Sequence, residues 1–439
     1  MRATRFVCAY VMAGGLMLGA STASAQDSPQ VLRQEIDQLR RDFETLKQQY
    51  GDRLSALEAK LASAEGRPQP PVTPPAEPAA PAQPTAQVPP GAAGAGGPTG
   101  ALPVYGASVA GSKIFNPDIA VIGDFLGAAG VNHVDQPPSL EMHESEAAFQ
   151  AVVDPYARAD FFISFGEEGV NLEEGFLTLT ELPGGLLTKV GKMRAAFGKV
   201  NTLHNHVLPW TDRPLVTRNL VAGEDGIDDA GISVARLIPN PWIFLEATGQ
   251  IFRGDSGNLF KAARHDEVSY VGHLRGYQDI TESSNIDLGF SVARGHNDAE
   301  LADDVVSGVF TTKLYGVDAT FRWRPLRRSI YRSFVGRTEW IWSRRDQLNG
   351  LQKSSGFYVS ADYQFGRRWF AGVRYDASDR AIDASLRDTG GSFLLTYWPS
   401  EFSQVRAQYR RTNYALGDPA NELLFQFQFS IGAHGAHPF

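Results

Sequence analysis

Cysteine is almost absent from this 439-residue chain: its single thiol, Cys8, sits inside the apolar run Phe6 to Ala20. That run follows Arg2 and Arg5 and gives way to Ala23-Ser24-Ala25, the layout of a cleavable secretory signal over residues 1–25. With the signal removed, no thiol remains for a disulfide or a thiolate metal centre, so burial and hydrogen bonding must hold the fold. Cys8 lies in mid-run with no small-residue cleavage site before it, which argues against a lipoprotein. Long hydrophobic runs are missing as well. Beyond the signal no stretch approaches the roughly 18 apolar residues that a transmembrane helix needs. No phosphate-cradling glycine loop and no nucleic-acid-binding basic motif is present, so no nucleic acid partner is expected. A mean hydropathy of -0.23 and a net charge of -8 suit a soluble protein. A membrane β-barrel gives the same averages, because its strands alternate lipid-facing and lumen-facing side chains.

Three compositions follow the signal. Over residues 28–66, Leu32, Ile36, Leu39, Phe43, Leu46 and Tyr50 alternate spacings of four and three, and Leu54, Leu57 and Leu61 continue after a stutter. Charged and Gln residues cover the other faces, so a lone helix would leave this stripe wet and self-association as a coiled coil follows. Residues 67–104 are dense in Pro, Ala and Gly, with Pro70-Pro71, Pro74-Pro75 and Pro89-Pro90, and form a spacer that builds no core.

From about residue 116 to 439 the period becomes two. Leu423, Phe425, Phe427, Phe429 and Ile431 share one face and Leu424, Gln426, Gln428 and Ser430 the other, and similar faces recur at 315–324, 357–365 and 404–410. Short joins (Asp154-Pro155, Leu182 to Gly185, Pro239-Asn240-Pro241, Pro325 to Arg328, Gly366-Arg367, Pro399-Ser400) appear to one side of longer ones, which include joins near Asn297, Asn349, Asp383 and Asp418. Short turns at one end and long loops at the other predict an all-β transmembrane antiparallel barrel of about 16 strands, both termini periplasmic. Trp323, Trp340, Trp342, Trp369, Tyr375, Tyr397 and Trp398 read as interface girdles near strand ends.

The layout of coiled coil plus barrel resembles the phosphate-selective porin O and P type. The stretch Val190 to Asn201 and the ending Phe429 to Phe439 are similar to uncharacterised proteins labelled zinc-regulated TonB-dependent outer-membrane receptors. Such receptors have barrels of about 22 strands behind a plug, whereas here a coiled coil and spacer precede the barrel. The resemblance implies a Gram-negative outer-membrane location among its lipids, a homotrimer, assembly by the barrel-assembly machinery through Phe439, and no cofactor. It also implies that the third outer connection, Ala195 to Asp229, folds inward to narrow a pore.

That connection carries His204, His206, Trp210, Asp212 and Arg213, then Glu224, Asp225, Asp228 and Asp229. Alternation aims Arg322, Arg324, Arg337, Arg374, Arg406 and Arg410 into the lumen, with Lys192 and Arg194 as further lining candidates. Between Ala319 and Arg411 there are 17 Lys and Arg against 8 Asp and Glu. An acidic loop facing a basic wall predicts a transverse field and weak anion preference; mutual ion pairing is the alternative use of the same charges. His204 with His206, or His434 with His437, can each offer two nitrogens to a metal, but neither pair completes a ligand set. Gly254-Asp255-Ser256-Gly257 has no evident His and Asp partners, so no enzyme is expected. The expected function is passive diffusion of small hydrophilic solutes or ions. The alternatives are a barrel-anchored tether to peptidoglycan or a periplasmic protein, and a metal-linked uptake protein.

Overall fold

The computed structural model describes residues 117–432, apart from 168, 302 and 303. The signal, the coiled-coil stripe, the spacer, and the ending that holds His434, His437 and Phe439 lie outside the described residues.

The strands are β1 (Asp118–Val131), β2 (Leu140–Asp154), β3 (Ala157–Gly166), β4 (Gly169–Leu182), β5 (Leu186–Arg194), β6 (Asp228–Leu237), β7 (Phe244–Phe252) and β8 (Ser269–Thr281). They continue as β9 (Ser284–Leu301), β10 (Asp304–Trp323), β11 (Ser333–Gln347), β12 (Gly350–Gly366), β13 (Trp369–Asp379), β14 (Arg387–Ser400), β15 (Ser403–Asn413) and β16 (Ala420–Gly432). Each strand pairs antiparallel with its sequence neighbours, and β1 closes on β16 from Ala120 opposite Gly432 to Val131 opposite Asn421. Closure leaves no strand edge without a partner, and the even strand number brings both barrel ends to one side.

The distribution of polarity is inverted. Along β16, Leu423, Phe425 and Phe427 are 54%, 40% and 37% exposed, while Gln426 and Gln428 between them are 1% and 0% exposed. The same inversion holds on β12, where Val359 is exposed and Ser360 buried. Water would not tolerate so continuous an apolar outer surface, whereas hydrocarbon requires one. Among the described residues no helix is long and apolar enough to cross a membrane; the strands do so instead. Val373→Arg on the outer face, where Val373 is 52% exposed near the middle of β13, is therefore expected to cost about 2–4 kcal/mol near the bilayer midplane, with Val373→Leu close to neutral. Urea unfolding in lipid vesicles separates the two.

Aromatic side chains gather in two bands. At the short-turn end Trp369 lies 4.5 Å from Tyr397 and 6.5 Å from Phe365, ring centre to ring centre. Trp340, Trp342, Phe357 and Tyr375 form the second band, with Trp340 and Trp342 stacked at 5.7 Å. The bands are separated by the stretch from Trp369 to Ala377, the residue opposite Phe357. At about 3.4 Å per residue this is roughly 27 Å of strand, which at a tilt of about 40° rises roughly 21 Å, close to the roughly 25 Å apolar band of outer-membrane barrels.

Several connections differ from the expectation. Asn297 is no loop residue: β9 runs through it, and its buried amide donates to the carbonyl of Asp346 while accepting from Thr312 Oγ1. The Asn349 join shrinks to residues 348–349, and the Pro325 join lengthens to 324–332. Strands β9 to β12 continue past the outer aromatic band into water, where a hydrogen-bonded ladder carries polar side chains on both faces. Polarity there reads as a loop. For the same reason Trp340, Trp342 and Tyr375 stand in mid-strand rather than near strand ends.

Candidate functional site in the barrel lumen

The connection between β5 and β6, residues 195–227, is the third on its side and turns into the barrel. It comprises two short 3-10 turns, Val200–Thr202 and Asn205–Val207, and the helix α1 (Leu215–Leu220). Its apolar residues Phe197, Val200, Leu208, Trp210, Val216 and Leu220 are buried together with inward side chains of the wall, Leu314, Ile341, Tyr358 and Leu394. The lumen thus contains a small hydrophobic core of its own, formed where loop meets wall.

Polar contacts fix the loop's path across alternate strands. Gly198 N donates to Ser291 Oγ at 2.9 Å on β9, Thr211 N to Gln408 Oε1 at 3.0 Å on β15, and Leu215 N to Asp376 Oδ1 at 3.2 Å on β13. Arg213 is buried and, among the described residues, donates to the loop itself, to Asn205 Oδ1, Val200 O and Leu203 O. Burial, with Arg194 nearby, pulls its guanidinium down to about 10, so it stays charged at neutral pH. Gly198 has φ +59, and a Cβ there would fall 1.6 Å from Glu339 Oε1. Gly198→Ala should cost about 1–3 kcal/mol through left-handed strain and displacement of that carboxyl, read as a lower unfolding midpoint with more current noise.

Two charged nodes hold the loop. At the first, Asp212 accepts from Arg374 at 2.8 Å, Arg410 at 2.9 Å and Gln408 at 2.5 Å. Arg374 also meets Asp376 at 2.7 Å, and Arg410 meets Glu422 at 2.6 Å. Burial pushes the Asp212 carboxyl up, but Arg374 and Arg410 outweigh it and hold it well below the usual carboxylate range. Trp210 packs edge-on to Tyr358 at 5.1 Å, with the Arg374 guanidinium 5.0 Å over its ring.

At the second node, His204 lies among carboxylates: Nδ1 is 2.7 Å from Glu146 and 3.0 Å from Glu173, and Nε2 is 2.9 Å from Glu174. His206 Nδ1 stands 3.5 Å from Glu144 and 3.6 Å from Glu146. Burial lowers both imidazoles, but Glu146 and its neighbouring glutamates reverse this and hold them above the ordinary histidine value, His204 the further. Two β-bulges create this node. Register shifts between Asp124 and Phe125 in β1 and between Phe162 and Ile163 in β3 leave His143 on β2 and Glu173 on β4 without a directly opposite partner. The bulge lets the consecutive residues Glu173 and Glu174 both reach His204, which strict alternation forbids.

The other candidates are dispersed. Arg406 binds Leu208 O at 3.1 Å and Gln426 Oε1 at 2.7 Å, Arg337 pairs with Asp362, and Arg322 is 3.8 Å from Asp287. Arg324 is exposed in the turn after β10 and belongs to the rim rather than the lining. The run Glu224 to Asp229 does not face the arginine wall, because it lies where the loop returns to β6. There Asp228 pairs with Lys192 at 2.9 Å, the carbonyl of Asp225 accepts from Arg194 at 2.7 Å, and Asp229 takes the backbone NH groups of Gly254 and Asp255. Those bonds make the Gly254 to Gly257 tetrapeptide a tethered turn. Sequence reasoning missed Glu144, Glu146, Glu173 and Glu174. The spacing of Glu144 and Glu146, two apart and so on one strand face, was the available signal.

No family model matches the chain. A protein of Aquifex aeolicus (strain VF5) described as uncharacterized is 26% identical over 396 residues, 77% of this chain and 83% of that one. Among solved structures, the high-pH structure of Pseudomonas putida OprB is similar with a TM-score of 0.51 at 10% identity, covering 72% of this chain and 94% of that one. An anion-selective porin from Comamonas acidovorans reaches 0.50 at 13% identity, covering 71% and 98%. A loop-L8 deletion mutant of OmpT, an outer membrane protein of Vibrio cholerae, reaches 0.50 at 10% identity, covering 72% and 98%. At these identities the likeness concerns the fold, which is a porin-like barrel.

Proposed function

We propose that the chain is an outer-membrane channel through which small hydrophilic solutes diffuse passively, sieved by the inward loop. The observation that carries this reading is the polar lumen, enclosed by an apolar outer wall and crossed by a loop pinned to the wall at two charged nodes. A membrane anchor alone does not need so wide a barrel, since small barrels fill their interior with side chains whereas barrels of about 16 strands leave an aqueous channel.

The lumen field differs from the arginine wall expected from the sequence. The buried charged residues comprise fourteen carboxylates (Asp124, Glu144, Glu146, Asp160, Glu173, Asp229, Glu267, Asp287, Asp318, Glu339, Asp376, Asp379, Asp388, Glu422) and six arginines. Less buried cations offset part of the acidic excess: Arg158 pairs with Asp160, Lys199 and Arg275 with Asp287, Arg387 with Asp379 and Arg380 with Asp388. Arg374 and Arg410 are each shared between two carboxylates. We therefore read the channel as weakly cation-preferring, reversing the earlier expectation.

Around this channel we place residues 28–66 as a periplasmic coiled coil on the 67–104 spacer, with the barrels in a homotrimer and Phe439 as the assembly signal. Liposome swelling tests the diffusion reading. The full chain and a chain lacking residues 26–103 should both admit small neutral sugars; a barrel that admits none in either form would make the tether to peptidoglycan or a periplasmic protein the better reading.

A further inference from the structure

We propose that Glu144, Glu146 and His206, joined by His204, hold one divalent transition cation inside the barrel. This goes beyond the channel reading and does not depend on it. Glu146, His204 and His206 bring one donor atom each to within 4.8 Å of the others, and so do Glu144, Glu146 and Glu173; all five residues are buried. His206 Nδ1 lies 3.5 Å from Glu144 Oε1 and 3.6 Å from Glu146 Oε2. Donors held at about 2.0–2.1 Å from a tetrahedral ion are about 3.3–3.4 Å apart, so these edges are close to those of a coordination polyhedron and longer than good hydrogen bonds.

Two atoms point to a ligand independently of the clustering. Among the described residues, neither His206 Nδ1 nor Glu144 Oε1 has a hydrogen-bond partner, although both side chains are only 6% exposed. Unpaired buried donors and acceptors are costly, and two facing one another invite a third body between them. His204 Nε2 reaches Glu174 at 2.9 Å, as the outer-shell partner of a metal-bound imidazole does, and its Nδ1 hydrogen-bonds Glu146 at 2.7 Å, a contact whose proton a bound ion would replace. Charge agrees. Glu144, Glu146, Glu173 and Glu174 are opposed by Arg194, 3.1 Å from Glu173, so with neutral imidazoles the node keeps a negative excess for a cation to offset. Two imidazoles with carboxylates favour a first-row transition ion over magnesium or calcium.

The test uses the full chain, refolded in detergent and stripped with chelator, with Zn2+ as the calorimetric probe and Co2+ as the spectroscopic one. About one equivalent of Zn2+ per chain should bind saturably, resist excess Mg2+ and Ca2+, and disappear in Glu146→Gln/His206→Ala, whose folding is checked by heat-dependent gel mobility. Glu174→Gln should weaken binding roughly 10- to 100-fold. His434→Ala/His437→Ala should leave it unchanged. A folded wild-type barrel that takes up no Zn2+, or binding that is lost with His434 and His437 but survives in the lumen variant, overturns the proposal. A channel that conducts but binds no zinc removes this inference alone.

Discussion

Asp212→Asn frees the inward loop: single-channel steps become larger and noisier, and protease nicks the loop in the folded barrel. The reasoning is electrostatic. Asp212 is the one loop carboxylate that meets the arginines of β13 and β15, and the residues around it are buried. Removing its charge leaves Arg374 with Asp376 and Arg410 with Glu422, so neither arginine is stranded. What is lost is the charge-assisted bonding to Asp212, about 1.5–3 kcal/mol. Taking the lower end, the ratio of docked to released loop falls about tenfold. The pH dependence has a definite sign. A carboxyl held below its usual value contributes stability that is complete above its ordinary pKa of about 3.9 and lost as pH falls through the depressed folded value. The wild-type loop should therefore stay docked at mildly acidic pH, with unchanged step size down to about pH 4, while the Asn variant is noisy throughout.

Trp210→Ala is the second large effect. The side chain is 1% exposed and fills the contact between the loop and Tyr358. Its truncation should cost about 3–5 kcal/mol, the range for a buried aromatic cut to Ala. Among the described residues its Nε1 has no hydrogen-bond partner, so packing, not polarity, carries the cost. Trp210→Phe should accordingly lose far less, about 1 kcal/mol. Equal losses for Ala and Phe, measured by urea unfolding in vesicles, would mean that the indole NH matters and that this description of the contact is wrong.

Much of the barrel was legible because lipid imposes a rule on every strand. Leu423 to Ile431 alternates with Leu424 to Ser430 in sequence as it does in space, and counting such runs between turns gave sixteen. The inward course of the third connection was an implication of family resemblance, and no local pattern encodes it. Its fixation depends on pairs such as Asp212 with Arg374 and Arg410, distant in sequence and joined only by closure. The His204 node was hidden for another reason. A bulge adds one residue and shifts the phase of two, so period-two reading sends either Glu173 or Glu174 to the lipid face when both turn toward histidine. The strand run through Asn297 was missed because a ladder outside the membrane no longer needs apolar residues. The stripe from Leu32 to Leu61 lies outside the described residues and stands as a proposal.

The most direct measurement is planar-bilayer conductance of the purified full chain, with the reversal potential taken in a salt gradient. Stable steps arriving in threes, with a reversal potential of cation-preferring sign, are the expected result. A folded barrel that stays silent would contradict the channel itself, and an anion-preferring reversal would contradict the carboxylate-rich lumen.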